Sequence, residues 1–196
     1  ISILLFINRI SENHYRHTDF FRKITQVLHF LLKNNKQALT NNEVFNVFKH
    51  NKKIVLNLLK NNIIEVTEPI YKEIIGKEGH IELMYCTFFI PEIEKFIDEE
   101  KVTSLKNLAL ATDTKFFDTY EQKRQEGEND SKICSLIRQD SVEEFIKYIN
   151  HFNISPSSKI SFSIFETNPF LIENQYTTTL IEYSAFFGSI QIFQYL

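Results

Sequence analysis

Apolar residues recur along this chain at spacings of three and four, the period of a helix with one buried face. From Asp19 to Leu32 the positions Phe20, Phe21, Ile24, Val27, Leu28, Leu31 and Leu32 form one wide apolar stripe, ended by a polar KNNKQ run. Thr40 followed by Glu43 reads as a capping box opening a short helix through Val44, Phe45, Val47 and Phe48. Ile54, Val55, Leu58 and Leu59 mark the next helix, ended by Asn61 and Asn62. Thr67, Glu68 and Pro69 open another that stops at Gly76. The run IELMYCTFFI fits either a strand or a buried helix, because a short apolar run does not fix the period; its neighbours favour helix. Pro91 starts an acidic helix. Ser104 is expected to cap a longer one reaching Tyr120, with the polar EQKRQEGEND run as a turn or linker.

From Ser131 the pattern sharpens. Ile133, Leu136 and Ile137 share a face, Gln139 and Asp140 turn the chain, and Ser141 with Glu144 predicts a second capping box before Val142, Phe145, Ile146 and Ile149. The result is a helical hairpin with a very short turn. A link from about His151 to Thr178 follows, with Pro156, Pro169 and at most one short extended pair expected around ISFSIFE. A link of that length in a compact array marks an insertion or a functional loop.

The last 18 residues read TLIEYSAFFGSIQIFQYL. They resemble an ankyrin repeat, whose opening T-P-L-H-x-A leads through a Gly turn into a second helix. Thr179 stands at the Thr place, Ile181 at the Leu place, Ser184 and Ala185 at the small-residue places, and Gly188 and Ser189 at the turn. Ile192, Phe193 and Leu196 stand at the apolar places of the second helix. Leu180 departs from the family's Pro and Glu182 from its His. The hairpin Ser131 to Asn150 looks like a more degenerate copy, with Asp140 and Ser141 at the turn. Asp140 and Gly188 are 48 positions apart, against an ankyrin period of about 33, so the link should hold an insertion of about 15 residues. ENDSKICSLIRQDSVEEFIKYIN, SIFETNPFLIEN and TLIEYSAFFGSIQIF further resemble the large divergent ankyrin families of protozoan parasites such as trichomonads.

The expected fold is therefore all-α: an array of short helical hairpins leading into ankyrin-type repeats, an alpha solenoid. Residues 1–127 form a helical N-terminal region. Residues 128–196 form the start of a divergent ankyrin-repeat array, truncated at its C-terminal end. Composition agrees, since four Gly and four Pro in 196 residues are few for barrels or nucleotide-binding α/β folds. The chain starts at Ile1 rather than Met and stops inside an apolar periodic segment, so both ends look cut. The apolar Ile1 to Ile7 stretch lacks the basic flank and cleavage site of a signal peptide, and no apolar run is long enough to span a membrane.

Charge is uneven. Residues 1–60 carry ten basic and three acidic groups, a net of +7, while the whole chain is at -3. That asymmetry supports one alternative reading, a nucleic-acid-binding helical module in the basic N-terminal part. The pairs Lys52 and Lys53, and Lys123 and Arg124, are too short to be nucleic-acid patches by themselves. Nucleotide-binding glycine motifs, H-E-x-x-H and C-x-x-C are absent. His14 and His17 lack a supporting Cys or carboxylate pair for a metal. His29 and His50 read as edge residues. Glu92, Glu94, Asp98, Glu99 and Glu100 form the densest acidic cluster and are expected to be a solvated helix face. Cys86 and Cys134 sit in apolar surroundings as free thiols, which suits a reducing, cytoplasmic setting. No catalytic, cofactor-binding or metal-ligating residue is assigned. The expected role is a non-enzymatic scaffold or adaptor whose partner is another protein, with no cofactor, small-molecule substrate or membrane.

Overall fold

A computed structural model of the chain describes residues 1–13, 18–34, 39–76, 85–112, 114–174 and 176–196. Among them the fold is all helical, and their pairing in β geometry is limited to an isolated antiparallel bridge between Lys159 and Thr179. The chain divides into two compact units, Ile1–Gly127 and Glu128–Leu196.

The first unit begins with α1 (Ser2–Asn13), α2 (Thr18–Asn34), α3 (Asn41–Phe48), α4 (Lys52–Lys60) and α5 (Glu68–Ile75). Helix α1 packs on α3, and α2 packs on α4, so two successive helix pairs lie side by side in the same sense. The capping box at Thr40 is formed: Glu43 N–H donates to Thr40 Oγ1 at 3.2 Å, and Thr40 N–H donates to Glu43 Oε2 at 2.8 Å. Asn51 caps α4 by accepting Ile54 N–H at 3.2 Å, and its amide donates to Ser11 Oγ at 2.9 Å. Both Asn51 and Ser11 are buried, so one side chain ends the α3–α4 turn and ties it to α1. Pro69 lies in the first turn of α5, and Gly76 ends it at φ 66°. The core is built from Phe45, Phe48, Val55, Ile70, Phe88, Phe89 and Ile93.

Residues 85–88 of the ambiguous apolar run are helical; residues 77–84 lie outside the described residues. Helix α6 (Ile90–Ile93) follows at Pro91 and passes into a 3-10 turn, Glu94–Phe96. The expected long helix from Ser104 to Tyr120 is not formed. Helix α7 (Glu99–Thr112) starts earlier and holds Ser104 in its interior. The chain then makes a 3-10 turn at Phe116–Asp118, and α8 (Tyr120–Glu126) occupies the stretch expected to be a linker. Burial explains the difference. Tyr120 Oη donates to the Phe88 carbonyl at 3.0 Å, and its ring meets Phe116 and Phe117 at centroid distances of 5.5 and 5.3 Å. Long-range partners therefore hold a helix whose own residues are mostly polar.

The second unit contains α9 (Lys132–Arg138), α10 (Val142–His151), α11 (Pro169–Glu173), α12 (Leu180–Phe187) and α13 (Ile190–Tyr195). Helix α12 opens with a full capping box between Thr179 and Glu182 and closes at Gly188, left-handed at φ 66°, ψ 33°. The expected box at Ser141 and Glu144 is absent, since Ser141 makes no side-chain cap bond. Its backbone gives the reason: ψ is 74° at Ser141 against 157° at Thr40 and 166° at Thr179. The left-handed Asp140 just before it, at φ 50°, sets this entry into the helix.

The link between the hairpins is packed chain rather than a loose insertion. Ile160 N–H donates to the Thr178 carbonyl at 2.9 Å, and Leu180 N–H to the Ser158 carbonyl at 3.0 Å, forming the extended pair. Asn168 caps the unforeseen α11 by accepting from Phe170 and Leu171 N–H, and Pro169 sits in its first turn. Ile160, Phe165 and Leu171 are buried.

Candidate interaction surface

Helices α9 and α10 form one hairpin, and α12 and α13 a second. Helix α9 packs on α12 and α10 on α13. Each hairpin turns through a left-handed residue, Asp140 or Gly188. Ser141 N–H then donates to the Leu136 carbonyl, and Ser189 N–H to the Ser184 carbonyl, the six-to-one bond of a Schellman turn.

The two turns are locked together. Asp140 Oδ1 accepts Ile192 N–H at 3.0 Å, and Oδ2 accepts Gln191 N–H at 3.1 Å. Ser189 Oγ donates in return to the Ile137 carbonyl. Ser189 makes no side-chain cap on its own helix, so α13 takes its cap from the preceding hairpin. A carboxylate there also opposes the positive end of the helix.

Beneath the turns, Arg138 joins three segments. Its guanidinium donates to the Asn129 carbonyl and to Tyr183 Oη, each at 2.8 Å, and pairs with Glu128 at 2.7 Å. Burial disfavours the charge, but Tyr183 and Glu128 hold the Arg138 pKa above its ordinary value. Burial likewise raises the Tyr183 hydroxyl and pushes the Cys134 thiol up to about 11. These are structural groups, held protonated in an apolar interior.

Matching the hairpins at their left-handed turns pairs Phe145 with Phe193, Val142 with Ile190, and Glu144 with Ile192. Phe145 is 0% exposed, in edge contact with Tyr195 at 6.3 Å, whereas Phe193 is 45% exposed and Ile190 64%. Ile192 is buried, but Glu144 is exposed. Each hairpin thus has two sides. In the first hairpin one side carries Glu144 beside Tyr148 and an exposed Phe152, and the other is covered. In the second, one side is covered, with Tyr195 reaching Phe145, and the other presents Ile190 and Phe193.

In the first unit the residues read as surface charge behave otherwise. Arg124 is fully buried between Phe88 and Tyr120, with its guanidinium 5.3 and 5.2 Å from their rings. It pairs with Glu92, itself 15% exposed, and with Glu121. Glu121 also takes Lys60 at 2.8 Å. Burial opposes the Glu121 charge, but Lys60 and Arg124 hold its carboxyl below the ordinary range. Glu92 therefore leaves the solvated acidic face assigned to it, while Glu94, Asp98, Glu99 and Glu100 are exposed. Lys52 is also buried, its ammonium 4.9 Å from the Phe88 ring centroid. The pairs Lys52 and Lys53, and Lys123 and Arg124, each split between interior and surface. His29 and His50 are exposed edge residues. His14 and His17 lie outside the described residues.

Among the described residues no three His, Cys, Asp or Glu side chains converge as a metal site, and no helix is long and apolar enough to cross a membrane. A signal for α11 was present in the Asn168-Pro169 pair, a cap followed by the favoured first helical residue. The pairing of Arg124 with Glu92 in the interior has no local signal, because Glu92 lies 32 positions away. Comparisons with protein-family models, curated proteins and solved structures find no match to this chain.

Proposed function

We propose that this protein is a non-enzymatic interaction scaffold whose second unit is the start of a divergent ankyrin-type array. One observation carries the reading: the two hairpins stack in the same sense through reciprocal bonds between their turns, and the last one leaves an apolar side uncovered. Stacked repeats bury a continuous core only with a neighbour on each side, and the outer face of a terminal repeat is polar. On the second hairpin Ile190 and Phe193 are 64% and 45% exposed. A protein partner with a matching apolar surface packs against Ile190 and Phe193. Two buried free thiols fit a reducing intracellular setting.

The test appends one designed ankyrin hairpin directly after Leu196. Amides of residues 188–196 should gain hydrogen-exchange protection, and any concentration-dependent self-association in sedimentation should fall. An appended hairpin that melts independently and leaves exchange unchanged would reject the reading. Phe193→Glu should block the gain in protection while leaving the first hairpin protected.

A further inference from the structure

A cavity of about 390 Å³ lies on the first hairpin of the second unit. Leu136, Tyr148 and Phe152 give it an apolar wall, with Lys132, Glu144 and Lys147 around them. Aligned at the left-handed turns, Glu144, Lys147 and Tyr148 stand where the second hairpin has Ile192, Tyr195 and Leu196. Those residues seat the second hairpin on the first: Ile192 is buried with its N–H on Asp140, and Tyr195 meets Phe145. The cavity is therefore the first hairpin's version of a side that the second hairpin has covered. The opposite sides correspond as well. Ile133, Ile137 and Phe145 are buried, and the same places in the second hairpin hold Ile181, Ala185 and Phe193, all exposed. Ser141 adds a polar match. It enters α10 at φ -82°, ψ 74°, as Ser189 enters α13 at φ -79°, ψ 79°, and neither caps its own helix. Ser189 gives its hydroxyl to the Ile137 carbonyl of the preceding hairpin, whereas no preceding hairpin of the second unit offers Ser141 such a carbonyl.

We infer that a second copy of this chain fills the cavity, the second hairpin of one copy stacking head-to-tail on the first hairpin of the next. The inference rests on the stacking reading and names the partner of the apolar side. The contact repeats the internal one, shifted by one hairpin. Phe193 of one copy lies over Lys147 and Tyr148 of the next, as Phe145 lies against Tyr195 within the chain. The Lys147 ammonium then faces an aromatic ring, a favourable cation–π contact. The Ala185 carbonyl accepts the Ser141 hydroxyl, as the Ile137 carbonyl accepts that of Ser189. One bond is not repeated. Gly188 stands in the place of Asp140, so the neighbour's α10 receives no carboxylate, and the contact between copies is weaker than the one within a copy. Two different faces meet, so the contact is heterologous and can add copies in a row. A symmetric dimer through Ile190 and Phe193 alone would leave the cavity and Ser141 unused.

Sedimentation equilibrium of the full chain between about 10 and about 500 µM tests it, and the weight-average mass should rise across that range. Phe193→Glu disables one face, and Lys147→Glu with Phe152→Glu disables the other, all at exposed positions. Each variant alone should sediment as a monomer. An equimolar mixture of the two should form dimers and nothing larger, because one intact pair of faces is left. Should Phe193→Glu melt early, Ala185→Glu, exposed on the same side, takes its place. A wild-type chain that is monomeric throughout, a variant that associates as the wild type does, or a mixture that stays monomeric would each overturn the proposal. Protection of residues 188–196 by an appended hairpin does not involve the cavity. A monomeric wild type that still gains that protection would therefore reject the second copy as partner and leave the stacking reading standing.

Discussion

The carboxylate of Asp140 accepts the backbone N–H of Ile192 at 3.0 Å, across the boundary between two helical hairpins. The bond has a cause in each turn. Asp140 is left-handed, which carries its side chain past its own helix, and Ser189 spends its hydroxyl on the Ile137 carbonyl rather than on α13. Each hairpin thereby supplies what the other's turn lacks.

Asp140→Ala should loosen the second hairpin while sparing the first. Loss of a helix cap costs about 1–2 kcal/mol, and two amides lose their acceptor here. Amide exchange should accelerate at Gln191 and Ile192 and remain slow at Leu136 and Ile137. Equal acceleration in both hairpins would show that the bond does not mediate stacking locally.

Gly188→Val should also damage this unit. Gly188 sits at φ 66°, ψ 33°, where a β-branched side chain clashes with its own backbone. Strain of roughly 1–3 kcal/mol is expected. Gly188→Asn, which tolerates the left-handed region, should recover most of it. Thermal melts of the two variants side by side supply the measurement.

Arg124→Ala should be among the most damaging single changes in the first unit. It strands Glu92 near the interior and removes the group packed between Phe88 and Tyr120. Breaking a buried ion pair from one side costs roughly 3–5 kcal/mol. Lys60→Ala, which removes a partly exposed pair with Glu121, should cost less than about 1 kcal/mol. Urea midpoints that fall by the same amount in both variants would contradict the burial argument.

Both thiols should resist labelling in the native state. Cys134 is buried, and that burial pushes its thiol up to about 11, above its ordinary range near 8.5. Its folded-state pKa is raised, so the stability it contributes is full below the ordinary thiol range and is lost as pH rises toward 11. At pH 8 an aromatic disulfide reagent should react slowly until denaturant is added, then with both Cys86 and Cys134. Fast native labelling of Cys134 would mean that the α9–α12 interface opens readily.

Much of the local structure was legible because it depends on neighbours in sequence. Thr40 with Glu43 became the expected capping box, and Gly188 took the turn assigned to it; Glu182, read only as a departure from the repeat's His, forms a further box with Thr179. Ser141 with Glu144 has the same spacing and formed no box, because the conformation of the preceding Asp140 decides where Ser141 Oγ points. The polar EQKR stretch looked like a linker and is a helix, since Tyr120 and Arg124 gain their stability from Phe88 and Glu92.

By itself, the sequence determined the helical class and most helix starts and stops. Apolar period, caps and left-handed turns act within a few residues and need no distant partner. Only the tertiary structure decided that Arg124 and Glu92 lie inside, that the 151–178 link is packed, and that Asp140 caps α13. Those outcomes depend on which groups meet across 30 to 50 residues of chain, and burial can reverse the solvent preference of a charged side chain once a partner stands opposite it.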